Sequence, residues 1–188
     1  QNLIDNTVEN SPHVTVDPKL DEDYIYLYRT LTSIAEERPE VLAASSRLVG
    51  RAAAKYKDNV EGVTFIGADP VQEDLLLRVR EDMIWGDYYD LRFKRYAAVV
   101  GDKLAENLEL KRGDDFRLVR QNASIQVKAV GIIDTRTGLD STLVYLPLET
   151  AQILLGDGDV VTEMGIRLSD IYAAPAVAAD LNERTRYK

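Results

Sequence analysis

The feature that most restricts the fold is a change of rhythm at residue 97. From there to residue 146 the chain is a series of short β-leaning runs set between turns, at 97–100, 116–120, 125–134 and 142–146, with one short helical stretch at 102–107. On both sides the pattern is strand followed by helix. His13-Val14-Thr15-Val16 reads as a strand stopped by Asp17-Pro18. Tyr24, Leu27, Tyr28, Leu31, Ile34 and Ala35 then fall at helical spacing, behind Asp21, Glu22 and Asp23, acids that favour a helix N-terminus. The alternation of Tyr24, Tyr26 and Tyr28 leaves a strand as the alternative.

Strands at 41–48, 51–56 and 60–68 lead to a second amphipathic helix over 72–85, stopped by Gly86. Past the middle, Pro147 opens a helix that runs to Leu155 and ends at Gly156-Asp157-Gly158. A strand over 163–168 follows, and Ser169-Asp170 with Pro175 begins a last helix. The expected fold is α+β with two lobes: a strand-helix lobe from 1–95 and 160–188, and an inserted β-rich lobe from 96–159.

Charge narrows the function. The 188 residues carry 32 acids against 23 bases, a net charge of −9, so the surface repels nucleic acid phosphates and anionic headgroups. With 45% apolar and 29% charged residues the composition is that of an ordinary globular protein. Cysteine is absent, which removes disulfides, thiolate metal sites and thiol nucleophiles together. The longest run without a charge, 171–179, is less than half of the ~20 residues a membrane helix needs. The opening Gln1-Asn2-Leu3, with no initiating Met and no signal segment, fits an excised piece of a longer protein.

Catalytic patterns are missing. His13 is the sole histidine, so imidazole triads and metal clusters have no partner, and packing at a strand end accounts for it. Acid pairs such as Asp21/Asp23, Glu36/Glu37, Asp87/Asp90, Asp114/Asp115 and Asp157/Asp159 lack a diagnostic spacing. Asp157-Gly158-Asp159 resembles a fragment of a calcium loop but lacks the further ligands, and a solvated turn explains it better. No dinucleotide fingerprint, phosphate-binding loop or Gly-x-Ser-x-Gly occurs. No cofactor or metal is expected.

Aromatic residues offer the remaining candidates. Trp85, Tyr88 and Tyr89 crowd a helix end where not all can face the core, and Arg92, Lys94 and Arg95 follow as a basic stretch in an acidic chain, read as a solvated face. Such an aromatic wall also suits a free-standing secreted small-ligand-binding protein, the alternative function, while a carboxylate-pair hydrolase ranks third.

A family pattern runs along nearly the whole chain. Its carriers are Ser11-Pro12-His13-Val14, Val60-Glu61-Gly62-Val63 and Ile66-Gly67-Ala68-Asp69-Pro70, then Val99-Val100-Gly101, Leu104-Ala105, Leu108, Leu110 and Gly113-Asp114. Val130-Gly131-Ile132 and the run from Val144-Tyr145-Leu146-Pro147 to Gln152 complete it. In order and spacing these resemble the extracytoplasmic core domain of ABC transporter permeases of the MacB, FtsX and LolC/LolE type.

The resemblance implies a non-enzymatic domain outside the cell membrane, periplasmic or extracellular, between two membrane helices of a permease. It implies a cytoplasmic ATPase subunit reached through those helices, a second permease copy, and an extracytoplasmic substrate or protein partner. Motion driven by ATP in the cytoplasm would pass through the domain to export, lipoprotein release or envelope regulation. On that reading the polar loop 135–141, with Arg136 and Asp140, joins Trp85, Tyr88 and Tyr89 as candidate partner contacts.

Overall fold

The computed structural model describes residues 11–186. Its elements run β1 (Val14–Val16), α1 (Tyr28–Glu36), β2 (Val41–Tyr56), β3 (Asn59–Ala68), α2 (Pro70–Leu77), β4 (Met83–Gly86), β5 (Ala97–Gly101) and α3 (Asp102–Leu108). They continue through β6 (Asp115–Arg120), β7 (Ala123–Ile133), β8 (Leu143–Pro147), α4 (Leu148–Leu155), β9 (Glu163–Leu168) and α5 (Ala174–Arg186). Helix and strand are mixed without regular alternation, so the class is α+β.

All nine strands share one sheet in the order β1-β9-β2-β3-β8-β5-β7-β4, with β6 bridging β2 and β7. That bridge closes a ring. β2 pairs with β3, β3 with β8, β8 with β5, β5 with β7, β7 with β6, and β6 returns to β2 across Ala53, Ala54 and Lys55. Closure leaves β1 and β4 as the outer strands of the described sheet and encloses side chains within the ring. Leu48, Phe65, Val100, Leu118, Val127, Val144 and Leu146 are buried in one apolar cluster there, with Leu104 of α3 and Leu154 of α4. A second cluster comes wholly from the two chain ends: Val14, Leu31, Ile34, Ala35, Ala44, Ile166, Val177 and Leu181.

Local chemistry sets the joints. β2 is one strand of 16 residues, not the two runs expected at 41–48 and 51–56, because Val49 and Gly50 keep the β3 register opposite Ile66 and Phe65. Gly50 is required by space: a Cβ there would lie 2.5 Å from Cζ of Phe65. At the start of α2, Asp69 accepts hydrogen bonds from the backbone N–H groups of Val71 and Gln72 at 2.9 and 3.1 Å, and Pro70 fills the first helical position.

Two expected helices are corrected. The helix expected over 72–85 stops at Leu77, because Arg78 turns left-handed at φ 54°. Residues 79–82 form one 3₁₀ turn, and Met83–Gly86 becomes a strand whose partners, Gly131 to Ile133, lie on β7. The first helix starts at Tyr28, with no acid in its first turn. Ile25 is unavailable to it, since its N–H and C=O bond to the C=O and N–H of Val161 at 2.8 and 3.2 Å. The acids of 21–23 therefore cap no helix.

His13 sits beside a strand end, where its Nδ1 accepts a hydrogen bond from the Leu168 N–H at 2.9 Å. α4 packs its Ala151 against Gly67 so closely that a Cβ on Gly67 would lie 2.2 Å from that of Ala151. Gly67→Ala is expected to lower stability by about 1–3 kcal/mol through overpacking, read as a lower denaturation midpoint with unchanged slope.

Candidate functional site

The most developed surface cluster grows from the chain between α2 and β5. Gly86 ends β4 at φ 79°, where any Cβ would meet the Val130 carbonyl oxygen at 2.1 Å, so this turn admits only glycine. Asp87 then caps a 3₁₀ turn over Tyr88–Arg92 by accepting from the Tyr89 N–H at 2.9 Å. That short turn decides which aromatic goes where.

Tyr88 points inward, only 1% exposed, and meets the Tyr145 ring edge-on at 5.4 Å between centroids. Burial, with Glu73 nearby, holds its hydroxyl well above the usual tyrosine range. It presents no surface to a partner, which corrects its inclusion among the contacts. Tyr89 is half-buried, packed at the edge of the apolar cluster that holds Tyr88. Its hydroxyl donates to Asp74 at 3.1 Å, and the Arg80 and Arg92 guanidinium groups lie 4.1 and 5.8 Å from its ring centroid. Arg92 also lies 5.2 Å from the ring centroid of Phe93, which is 78% exposed. Trp85 is half-buried on β4, with Arg112 5.5 Å from its ring centroid.

Arg80, Tyr89, Arg92 and Phe93 thus form a continuous alternation of cation and ring. Such stacks hold flat faces at the surface at low conformational cost, and arginine and aromatics are the residues enriched at protein interfaces. Phe93 was not singled out from the sequence. The signal was present in Arg92-Phe93-Lys94-Arg95-Tyr96, all five exposed, but it reads as a solvated basic face until Tyr89 is seen to lie against it.

The 135–141 loop divides its two candidates. Arg136, at φ 59°, extends into solvent and donates to Asp82 at 3.0 Å. Asp140 does not belong to an exposed tip. It is 3% exposed and accepts from the Thr135 N–H at 2.9 Å and the Thr135 hydroxyl at 2.6 Å, which fixes the loop from within. Asp102, Asp134 and Asp140 bring carboxylate oxygens within 4.8 Å of one another, and Oδ1 of Asp102 is buried without a partner.

Asp157-Gly158-Asp159 is more than a solvated turn. Asp159 accepts from the Tyr28 hydroxyl and the Arg29 guanidinium, each at 2.5 Å, and these partners hold its carboxyl down at about 2. A depressed carboxyl stabilises the fold fully above the ordinary range near 3.8 and loses that contribution as pH falls through about 2. Asp159→Asn is therefore expected to reduce the stability lost between pH 4 and pH 2, seen as a shallower acid limb in thermal melts.

A profile of the MacB-like periplasmic core domain matches residues 1–184. The chain belongs to that family. This core domain also shares its fold with the periplasmic region of MacB from Actinobacillus actinomycetemcomitans, at TM-score 0.68 and 9% identity, covering 100% of this chain and 89% of that one. It is likewise similar to the extracellular domain of the noncanonic ABC-type transporter YknZ from Gram-positive bacteria, at TM-score 0.64 and 17% identity, covering 92% and 95%. Both the α+β class and the family resemblance read from the sequence stand. No helix among the described residues of the core domain is long and apolar enough to cross a membrane.

Proposed function

We propose that this core domain stands outside the cell membrane as part of an ABC transporter permease and passes ATP-driven motion to a substrate or partner there, with no catalysis of its own. The family match over residues 1–184 carries the reading. The division of the core supports it. One apolar cluster is made only by residues of 1–95 and 160–188, as a strand-helix lobe requires, while 96–159 supplies four of the six ring strands. Two bodies joined through the β2–β3 hairpin are suited to hinge and shear movement.

In this reading the partners are a cytoplasmic ATPase subunit reached through membrane helices, a second permease copy, and an extracytoplasmic protein or substrate. Trp85, Tyr89 and Arg136 contact the last of these, together with Arg92 and Phe93. Tyr88 and Asp140 support that surface from behind.

Reading the parent gene on either side tests the placement. Apolar segments of ~20 residues on both flanks are expected. A signal peptide directly before Gln1 and a stop codon after Lys188 would instead make the chain a secreted binding protein.

A further inference from the structure

We propose that Asp157-Gly158-Asp159 is a releasable latch, whose two carboxylates hold Tyr24, Tyr28 and Arg29 and so close a glycine hinge where the chain leaves the ring for β9. The chain crosses here from α4, packed on the ring, to β9, packed in the chain-end cluster. Gly156 and Gly158 adopt φ 82° and 88°, and a Cβ on either would meet nothing within 4 Å. Backbone conformation, and not lack of room, is what calls for glycine at these two points.

The contacts across the crossing come from far away in sequence. The Tyr24 hydroxyl donates to Asp157 at 2.5 Å, and Tyr28 and Arg29 to Asp159 at 2.5 Å each, so residues at the entrance of α1 grip the turn after α4. Gln152 of α4 adds a bond to Asp159 at 3.2 Å and one to the Val160 carbonyl at 3.2 Å. Beside them lies the backbone bridge between Ile25 and Val161.

Strength and location together make the device releasable. Arg29 and Asp159 are mostly exposed, so water competes for their pairing and the ion pair is weak. The bodies on either side are held by apolar cores. Val160 is itself buried in the ring cluster, so loss of these contacts frees the glycine turn and the Ile25–Val161 bridge beside it while the apolar packing on either side holds, the behaviour of a local unfolding unit. Tyr28, Arg29, Leu148, Gln152 and Ile153 line a groove between α1 and α4 that borders the latch, so opening also reshapes that groove.

The proposal rests on the two-body reading above for its role, but its test reads the 188-residue chain alone. In hydrogen exchange, Asp157→Asn/Asp159→Asn is expected to accelerate the amides of Ile25 and Val161 roughly five- to thirtyfold, while those of β5 keep their rates. Tyr24→Phe/Tyr28→Phe, which keeps both rings and both carboxylates, is expected to do the same and serves if the first variant does not fold. Equal acceleration throughout the chain would reduce the contacts to general structural support, and unchanged rates would show that they hold nothing; either overturns the latch. A free-standing gene would defeat the permease reading and leave these rates untouched.

Discussion

Glu73→Ala is expected to lower stability by about 3–5 kcal/mol, as breaking a buried ion pair from one side does. Glu73 lies on α2 with its side chain wholly buried. It accepts from Nε of Arg47 at 3.0 and 2.9 Å and from the Ser45 hydroxyl at 3.1 Å, both on β2. Arg47 also reaches Glu163 of β9 at 3.4 Å, so one guanidinium ties α2, β2 and β9 together. Burial pushes the Glu73 carboxyl up while Arg47 pulls it back, and burial opposes the charge on Arg47 while Glu73 outweighs it. Removing Glu73 leaves that cation buried beside Tyr145 without its main partner. Arg47→Met/Glu73→Leu, which removes both charges and keeps apolar volume, is expected to recover most of the loss. Equilibrium denaturation of the three variants decides it, and a single-variant loss under about 1 kcal/mol would count against the pair.

Phe65→Ala should cost a similar amount, about 3–5 kcal/mol, by opening a cavity in the ring. Phe65 is fully buried on β3 with its ring over Gly50 of the neighbouring strand. The two positions are therefore coupled. Gly50→Ala alone crowds the ring, whereas Gly50→Ala in a Phe65→Leu background places its methyl where the phenyl tip was. The double variant is expected to be more stable than the sum of the single losses predicts, and strict additivity in a thermodynamic cycle would refute the contact.

Elements whose signals are local were legible. The strand at 163–168 and the helix from Pro147 to the Gly156 turn appear where the residues put them, because apolar spacing and a glycine stop need no distant partner. The second helix misled because Leu75, Leu76, Val79, Met83 and Ile84 do fall on one helical face. What overrides that pattern is pairing of Met83, Trp85 and Gly86 with Gly131 to Ile133 of β7. The closed ring was invisible for the same reason: no feature of 115–120 announces that it also pairs with Ala53 to Lys55.

The proposed contact surface was half legible. Crowding at Trp85, Tyr88 and Tyr89 was apparent, but choosing the inward ring required Tyr145, some 57 positions away and reached only through the β8–β5 register. Asp157 and Asp159 carried no motif, since their partners Tyr24 and Tyr28 stand 133 and 131 positions earlier.

The placement outside the membrane is tested most directly by labelling in intact cells. Leu20 is 96% exposed and the chain contains no cysteine, so Leu20→Cys in the whole gene product gives this domain a single accessible thiol. A membrane-impermeant maleimide is expected to label it in intact cells, beyond the level of the same protein without the substitution. Labelling that appears only after the membrane is permeabilised would put the domain on the cytoplasmic side and contradict the account.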